Sequence, residues 1–150
     1  MRLSVRCRLV LTLALLASVD VAWAANTKVS SEKPIINFRL PTFTPEGFRK
    51  ALARGSEARM ISENEISIKD LTLSIFTGDQ TDRVETLILS PSATLRPRDE
   101  AVTGAESIRV INDEFEANGV NWSYSNKERT ITIHERVHVK FRAEITNLLQ

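Results

Sequence analysis

Ile131-Thr132-Ile133-His134-Glu135-Arg136-Val137-His138-Val139-Lys140-Phe141 decides the fold. Every apolar residue in this stretch stands at an odd position, and a polar or charged residue fills each place between. A period of two belongs to a strand, whose successive side chains point to opposite faces of a sheet. Glu135-Arg136 interrupts the alternation without changing its parity, which predicts a break between two short strands.

The same period runs upstream. Ile66 and Ile68 alternate with Ser67, and Leu71, Leu73 and Ile75 alternate with Thr72 and Ser74; the parity change at Lys69-Asp70 predicts a bulge or turn. Leu87 and Leu89 predict a further strand ended by Ser90-Pro91. Ile108 and Val110, then Phe115 and Ala117, give two more, separated by a turn at Asn112-Asp113-Glu114. Arg96 to Glu100 reads as a charged turn, and Thr77 to Asp82 as a loop. Nearer the N-terminus, Pro34 and Pro41 bracket Ile35 to Leu40, an alternating segment suited to an edge strand, where proline is tolerated. Thr44-Pro45-Glu46-Gly47 has turn chemistry. Phe48 to Arg54 has a helical spacing through Phe48, Ala51 and Leu52, with a strand as the competing reading. Several short strands at this spacing predict an all-β sandwich, barrel or jelly roll.

A repeat underlies the pattern. Gly55-Ser56-Glu57-Ala58 precedes Ile66-x-Ile68 and Leu71-x-Leu73-x-Ile75; Gly119-Val120-Asn121-Trp122 precedes Ile131-x-Ile133 and Val137-x-Val139-x-Phe141. Ser90-Pro91-Ser92-Ala93 and Gly104-Ala105-Glu106-Ser107 share the small-x-x-small opening. The small residue is expected to let the chain bend before two strands lay apolar side chains on one face. Chance recurrence in a strand-rich chain is the competing account.

The segment before the strands sets the compartment. Arg2, Arg6 and Arg8 precede an apolar run from Leu9 to Val19, and Ala22-Trp23-Ala24 supplies an A-x-A cleavage site, the layout of a secretory signal peptide. The run falls short of the roughly 20 residues that span a bilayer. Residues 1–24 are therefore expected to be a signal peptide, or an uncleaved N-terminal anchor, with a flexible tail over 25–34, one domain over 35–142 and a C-terminal tail over 143–150. The leader holds three of the 20 basic residues and one of the 19 acidic ones, so the remainder carries a net charge of −1. That balance offers no footprint for nucleic acid. Cys7, the only cysteine, lies in the leader, so the rest of the chain has no thiol for a disulfide, a metal or a nucleophile.

Candidate sites are few. His134 and His138 stand about 13 Å apart along a strand, too far to share one ion, and read as solvated surface residues. Glu63 with Glu65, and Glu114 with Glu116, lie in polar turns. No nucleophile elbow, zinc-protease helix motif or phosphate loop is present, so no enzyme, metal or cofactor is expected. Trp122 suits a core position better than a ligand platform. Leu71, Leu73, Ile75, Leu87, Leu89, Ile131, Ile133, Val137, Val139 and Phe141 form one apolar stripe, either a sealed core or the lining of a channel for acyl chains; hydrophobicity alone does not separate the two.

The Gly119-x-x-Trp122 opening, followed by Ile131-x-Ile133 and Val137-x-Val139-x-Phe141, resembles the terminal segment of the OstA-like periplasmic domains of lipopolysaccharide export, the LptC/LptA family. Ser90 to Ala93 and Gly104 to Ile108 look like earlier rungs of the pattern, and the resemblance spans about residues 36–142. It implies a twisted, partly open antiparallel β-jelly roll without catalysis or cofactor. Its apolar interior would take lipopolysaccharide or a related glycolipid. Its edge strands would join other OstA-like export proteins, the inner-membrane transporter complex or further copies of the chain. Gly55, Ala58, Gly104, Gly119 and Trp122 would be the structural motif residues, and the stripe the lipid-binding face. A cleaved leader fits a free, LptA-like carrier, and a retained one fits an anchored, LptC-like component. A structural or adhesive β-module of the cell envelope that binds no lipid is the alternative from a different class.

Overall fold

A computed structural model describes residues 33–142. The leader, the C-terminal tail and all but the last two residues of the expected 25–34 tail lie outside the described residues. Seven antiparallel strands form one sheet in sequence order. They are β1 (Ile35–Phe43), β2 (Arg49–Ser62), β3 (Glu65–Phe76), β4 (Val84–Arg96), β5 (Ala101–Asn112), β6 (Phe115–Ser125) and β7 (Thr130–Phe141). The fold is all-β, as the alternation predicts, and it is the twisted, open jelly roll that the resemblance implies. One short 3-10 turn, Pro97–Asp99, joins β4 to β5 within the expected charged turn.

The apparent pairs of short strands are halves of single long ones. β3 runs through Lys69-Asp70 and β7 through Glu135-Arg136 without ending. β4 likewise continues past Ser90-Pro91, which bends the strand instead of terminating it. Phe48 to Arg54 is no helix: Arg49 onward is β2, because Ala51 and Ala53 face the core between the neighbours Thr42 and Leu40 on one side and Ile75 and Leu73 on the other. Cross-strand burial outweighs a weak helical spacing in so short a segment.

The interruptions lie side by side across the sheet. Asn37 in β1, Asp70 in β3, Asn121 in β6 and Arg136 in β7 have φ between 50° and 54°. The β4–β5, β5–β6 and β6–β7 registers each shift by a residue in the same band. A left-handed residue turns a strand sharply, and asparagine and aspartate tolerate it better than most side chains. Polar groups stitch the band together. Ser56 Oγ donates to Asp70 Oδ2 at 2.6 Å, Ser90 Oγ to the Ser107 carbonyl at 2.8 Å, and Asn121 Nδ2 to Glu135 Oε1 at 3.2 Å. The sheet bends along this line so that its two halves share one core.

Each half contributes whole rows of inward residues. On the upper half one row reads Leu40, Ala53, Leu73, Ile88, Val110, Ala117 and Val139, one from each strand. On the lower half another reads Met60, Ile66, Leu95, Val102, Tyr124 and Ile131. Buried members of both halves belong to a single core cluster that also holds Ala58, Ile68 and Trp122.

The glycines of the small-x-x-small motif sit where strands press together at the bend. A Cβ on Gly55 would stand 2.3 Å from Ile68 Cγ2 and 2.8 Å from the Lys69 carbonyl; on Gly104, 2.4 Å from Trp122 Nε1; on Gly119, 2.3 Å from Ile133 Cγ2. Gly55→Ala should therefore destabilise the protein by about 1–3 kcal/mol, the usual cost of overpacking a closed site. Urea unfolding checks this, and an unchanged midpoint would show that the bend can yield.

Candidate functional site

The candidate site is the apolar inner face and the place where it opens. Its character changes steadily across the sheet. At β3, Leu71, Leu73 and Ile75 are sealed, at 5 % exposure or less. At β7, Ile131 and Ile133 are half-buried and pack against the core. Further along β7, Val137, Val139 and Phe141 are 52 %, 42 % and 72 % exposed. Val139 still points inward, because it pairs with Ala117. Its exposure comes from position: β7 is the last strand, and no eighth strand follows among the described residues.

Phe141 meets Phe115 edge-to-face, ring centroids 6.4 Å apart, so this end of the strand is an aromatic lip and not a frayed tail. β1 forms the other edge, with Ile35, Ile36 and Phe43 exposed. Among the described residues, both edges leave a row of backbone donors and acceptors open to a further strand.

The expected stripe does not lie wholly on this face. Leu87 pairs with Ser74 and Ile111, and Leu89 with Thr72 and Arg109, on the opposite face of the sheet. Ile88, fully buried between Leu73 and Val110, holds the inward place. Leu87-Ile88-Leu89 is apolar on both parities, so alternation carried no information about which residue turned inward. Residues missed in the sequence for the same face include Ala53, Val102, Val110 and Tyr124. The register of their neighbours, not their own pattern, places them.

Between the halves lies a cavity of about 70 Å³. Leu40, Thr42, Ala51, Ala53 and Leu73 line it from the upper half, and Leu95, Val102 and Tyr124 from the lower. Pro97, Glu100 and Asn126 close its outer end. The Thr42 hydroxyl is buried here without a hydrogen-bond partner, and Trp122 Nε1 is likewise unpartnered where the ring presses on Gly104.

Polar groups gather at the end of the cavity. Tyr124 donates its hydroxyl to Asn126 Oδ1 at 3.1 Å, and Asn126 Nδ2 donates to Glu100 Oε2 at 2.8 Å. Lys50 Nζ donates to the same oxygen at 3.2 Å, crossing from the upper half to the lower. Lys50, followed by Asn126, holds the Glu100 carboxyl below the usual carboxylate range. Burial pushes the Tyr124 phenol up. On the outer surface Arg59 and Lys69 lower Glu57, and Arg109 lowers Glu116.

His134 and His138 are exposed and point away from the inner face. Among the described residues no cluster of histidine, cysteine, aspartate or glutamate could hold a metal ion, and no helix is long and apolar enough to cross a membrane. The chain matches no protein-family model and none of the curated proteins.

Depressed carboxyls fix the sign of the acid response. Their stabilisation is complete above the unfolded value of about 4.5 and is lost as pH falls through the lower folded value. Urea midpoints should thus drop on acidification below about pH 4.5, and Glu100→Gln should blunt that drop. An identical acid slope in the variant would mean that Lys50 does not stabilise the carboxylate.

Proposed function

We propose that this protein is a periplasmic lipopolysaccharide-transport component of the LptC/LptA type. It receives acyl chains on the apolar inner face of the bent sheet and pairs with neighbouring export proteins, or with further copies of itself, through the edges of β1 and β7. The observation that carries the reading is the gradient of the inner face, from sealed at β3 to exposed at Val137, Val139 and Phe141 beside the edge of β7, the last strand among the described residues. Soluble domains seldom leave contiguous apolar groups on an unpaired edge, since such edges recruit other chains. An acyl chain requires a dry surface, and a partner strand requires open backbone groups. Both are adjacent at β7. The arginine-flanked leader supplies export, and Ala22-Trp23-Ala24 favours a released carrier over an anchored one.

A second reading, a structural or adhesive β-module of the cell envelope without lipid, is favoured by one observation. The cavity of about 70 Å³ is smaller than the roughly 300 Å³ at which ligand pockets begin.

Val139 separates the two readings, because its exposure lets a charge be accommodated without unfolding the core. Val139→Asp should fold with an unchanged circular dichroism spectrum and lose photo-crosslinking to lipopolysaccharide by about tenfold, the effect of roughly 1.4 kcal/mol of lost apolar contact. Full crosslinking in the folded variant would leave the envelope-module reading standing.

A further inference from the structure

The interior, as it stands, is too small for the cargo proposed above, and the structure indicates where it would widen. The bend line is poorly suited to part, so it can serve only as an axis about which the halves turn. Its strands approach so closely at Gly55, Gly104 and Gly119 that a methyl group does not fit, and Ser56, Ser90 and Asn121 tie adjacent strands across it. The opposite ends of the two halves are joined differently. There side chains at the surface also join the halves.

Two such bridges stand near one another. In the first, Lys50 of β2 reaches Glu100, which caps the turn before β5 in a left-handed conformation, and Glu100 also receives Asn126. In the second, Arg129 of the β6–β7 turn pairs with Glu85 at the start of β4 and donates to the Phe76 carbonyl at 3.5 Å. Exposed ion pairs of this kind are weak and exchange readily with water. Directly behind the first bridge lies the cavity, whose walls carry only small side chains at Ala51 and Ala53. It also holds the Thr42 hydroxyl, buried without a partner, a group that a ligand oxygen would satisfy.

We propose that the Lys50–Glu100–Asn126 and Arg129–Glu85 bridges are a releasable latch across the free ends of the folded sheet, and that an acyl chain enters between the halves when the latch opens. The inference rests on the lipid-carrier reading. It adds the route of entry: the chain arrives at the latched end and extends along the inner face towards Val139, while the backbone edge of β7 is left to a partner strand. The bend acts as the hinge, and opening loosens the outer ends of β1 and β2, where Leu40 to Thr42 pair with Ala51 to Ala53.

The test uses the whole chain with Cys7→Ser, carrying either of two changes, and dansyl-labelled undecanoic acid as the probe. Lys50→Met with Glu100→Gln removes the first bridge. Lys50→Cys with Glu100→Cys allows a short bis-maleimide to close it covalently. Association of the probe is followed by stopped-flow fluorescence, and amide exchange of Leu40 to Thr42 and Ala51 to Ala53 by mass spectrometry. The bridge-free variant should take up the probe about two- to fivefold faster, because the open population grows by that factor. The cross-linked one should take it up at least about tenfold more slowly, with slowed exchange at both segments.

Probe uptake that is equal in all forms, with unchanged exchange, overturns the latch and leaves the lipid reading intact, with entry at the β7 lip. Slowed exchange in the cross-linked protein, with no form binding the probe, overturns the lipid reading and the entry route with it.

Discussion

Everything in this molecule depends on a backbone constraint: all seven strands must turn at the same row. A single flat sheet of this length would have one apolar face and nothing to bury it against. A strand turns most readily where a residue accepts positive φ, where an extra residue enters the ladder, or where a glycine such as Gly55 lets a neighbour press in. Asn37, Asp70, Asn121 and Arg136 meet the first condition, and the register shifts around β5 meet the second. Once the row is aligned, the sheet provides both layers of its own sandwich. One misplaced bend would set a strand's inward residues facing water, because a slip of one position reverses the pleat.

The aligned bend also explains why small residues recur. Where strands cross the bend they converge, and the side chain of one presses on the backbone of its neighbour. Ile68 meets Gly55, Trp122 meets Gly104, and Ile133 meets Gly119. The small-x-x-small motif is thus a record of close packing. It carries no ligand chemistry in itself, and Trp122 is a core residue whose indole fills the space its glycine leaves. The openness of the fold comes from elsewhere: among the described residues, β7 is the last strand of the sheet and part of its apolar face stays exposed.

Much of this was legible in the chain. Alternation in Ile66 to Ile75 and Ile131 to Phe141 gave the strands, and the small residues marked their bends. Three features were hidden for identifiable reasons. Lys69-Asp70 and Glu135-Arg136 looked like strand ends because a polar pair interrupts the pattern equally at a turn and at a kink. Phe48 to Arg54 looked helical because three apolar residues in a short window fit both periods, and only Thr42, Leu40, Ile75 and Leu73 alongside decide between them. Leu87 and Leu89 read as inward in the sequence because Ile88 between them leaves no polar residue to set the parity. The polar cluster of Lys50, Glu100 and Asn126 had no sequence signal at all, since its members lie 50 and 26 residues apart.

The strictly sequential strand order has a kinetic consequence. Each strand pairs only with the ones before and after it in the chain, through connections that are short everywhere except the Thr77 to Arg83 loop. Hairpins of this kind close over small loops, so the ladder can zip from any turn outward with little entropy lost at each step. The non-local event is the collapse of one half onto the other, which buries Tyr124 beside Ala53 and brings Arg129 to Glu85. An isolated hairpin is at best marginally stable in water, so the ladder persists only once that collapse buries its apolar face.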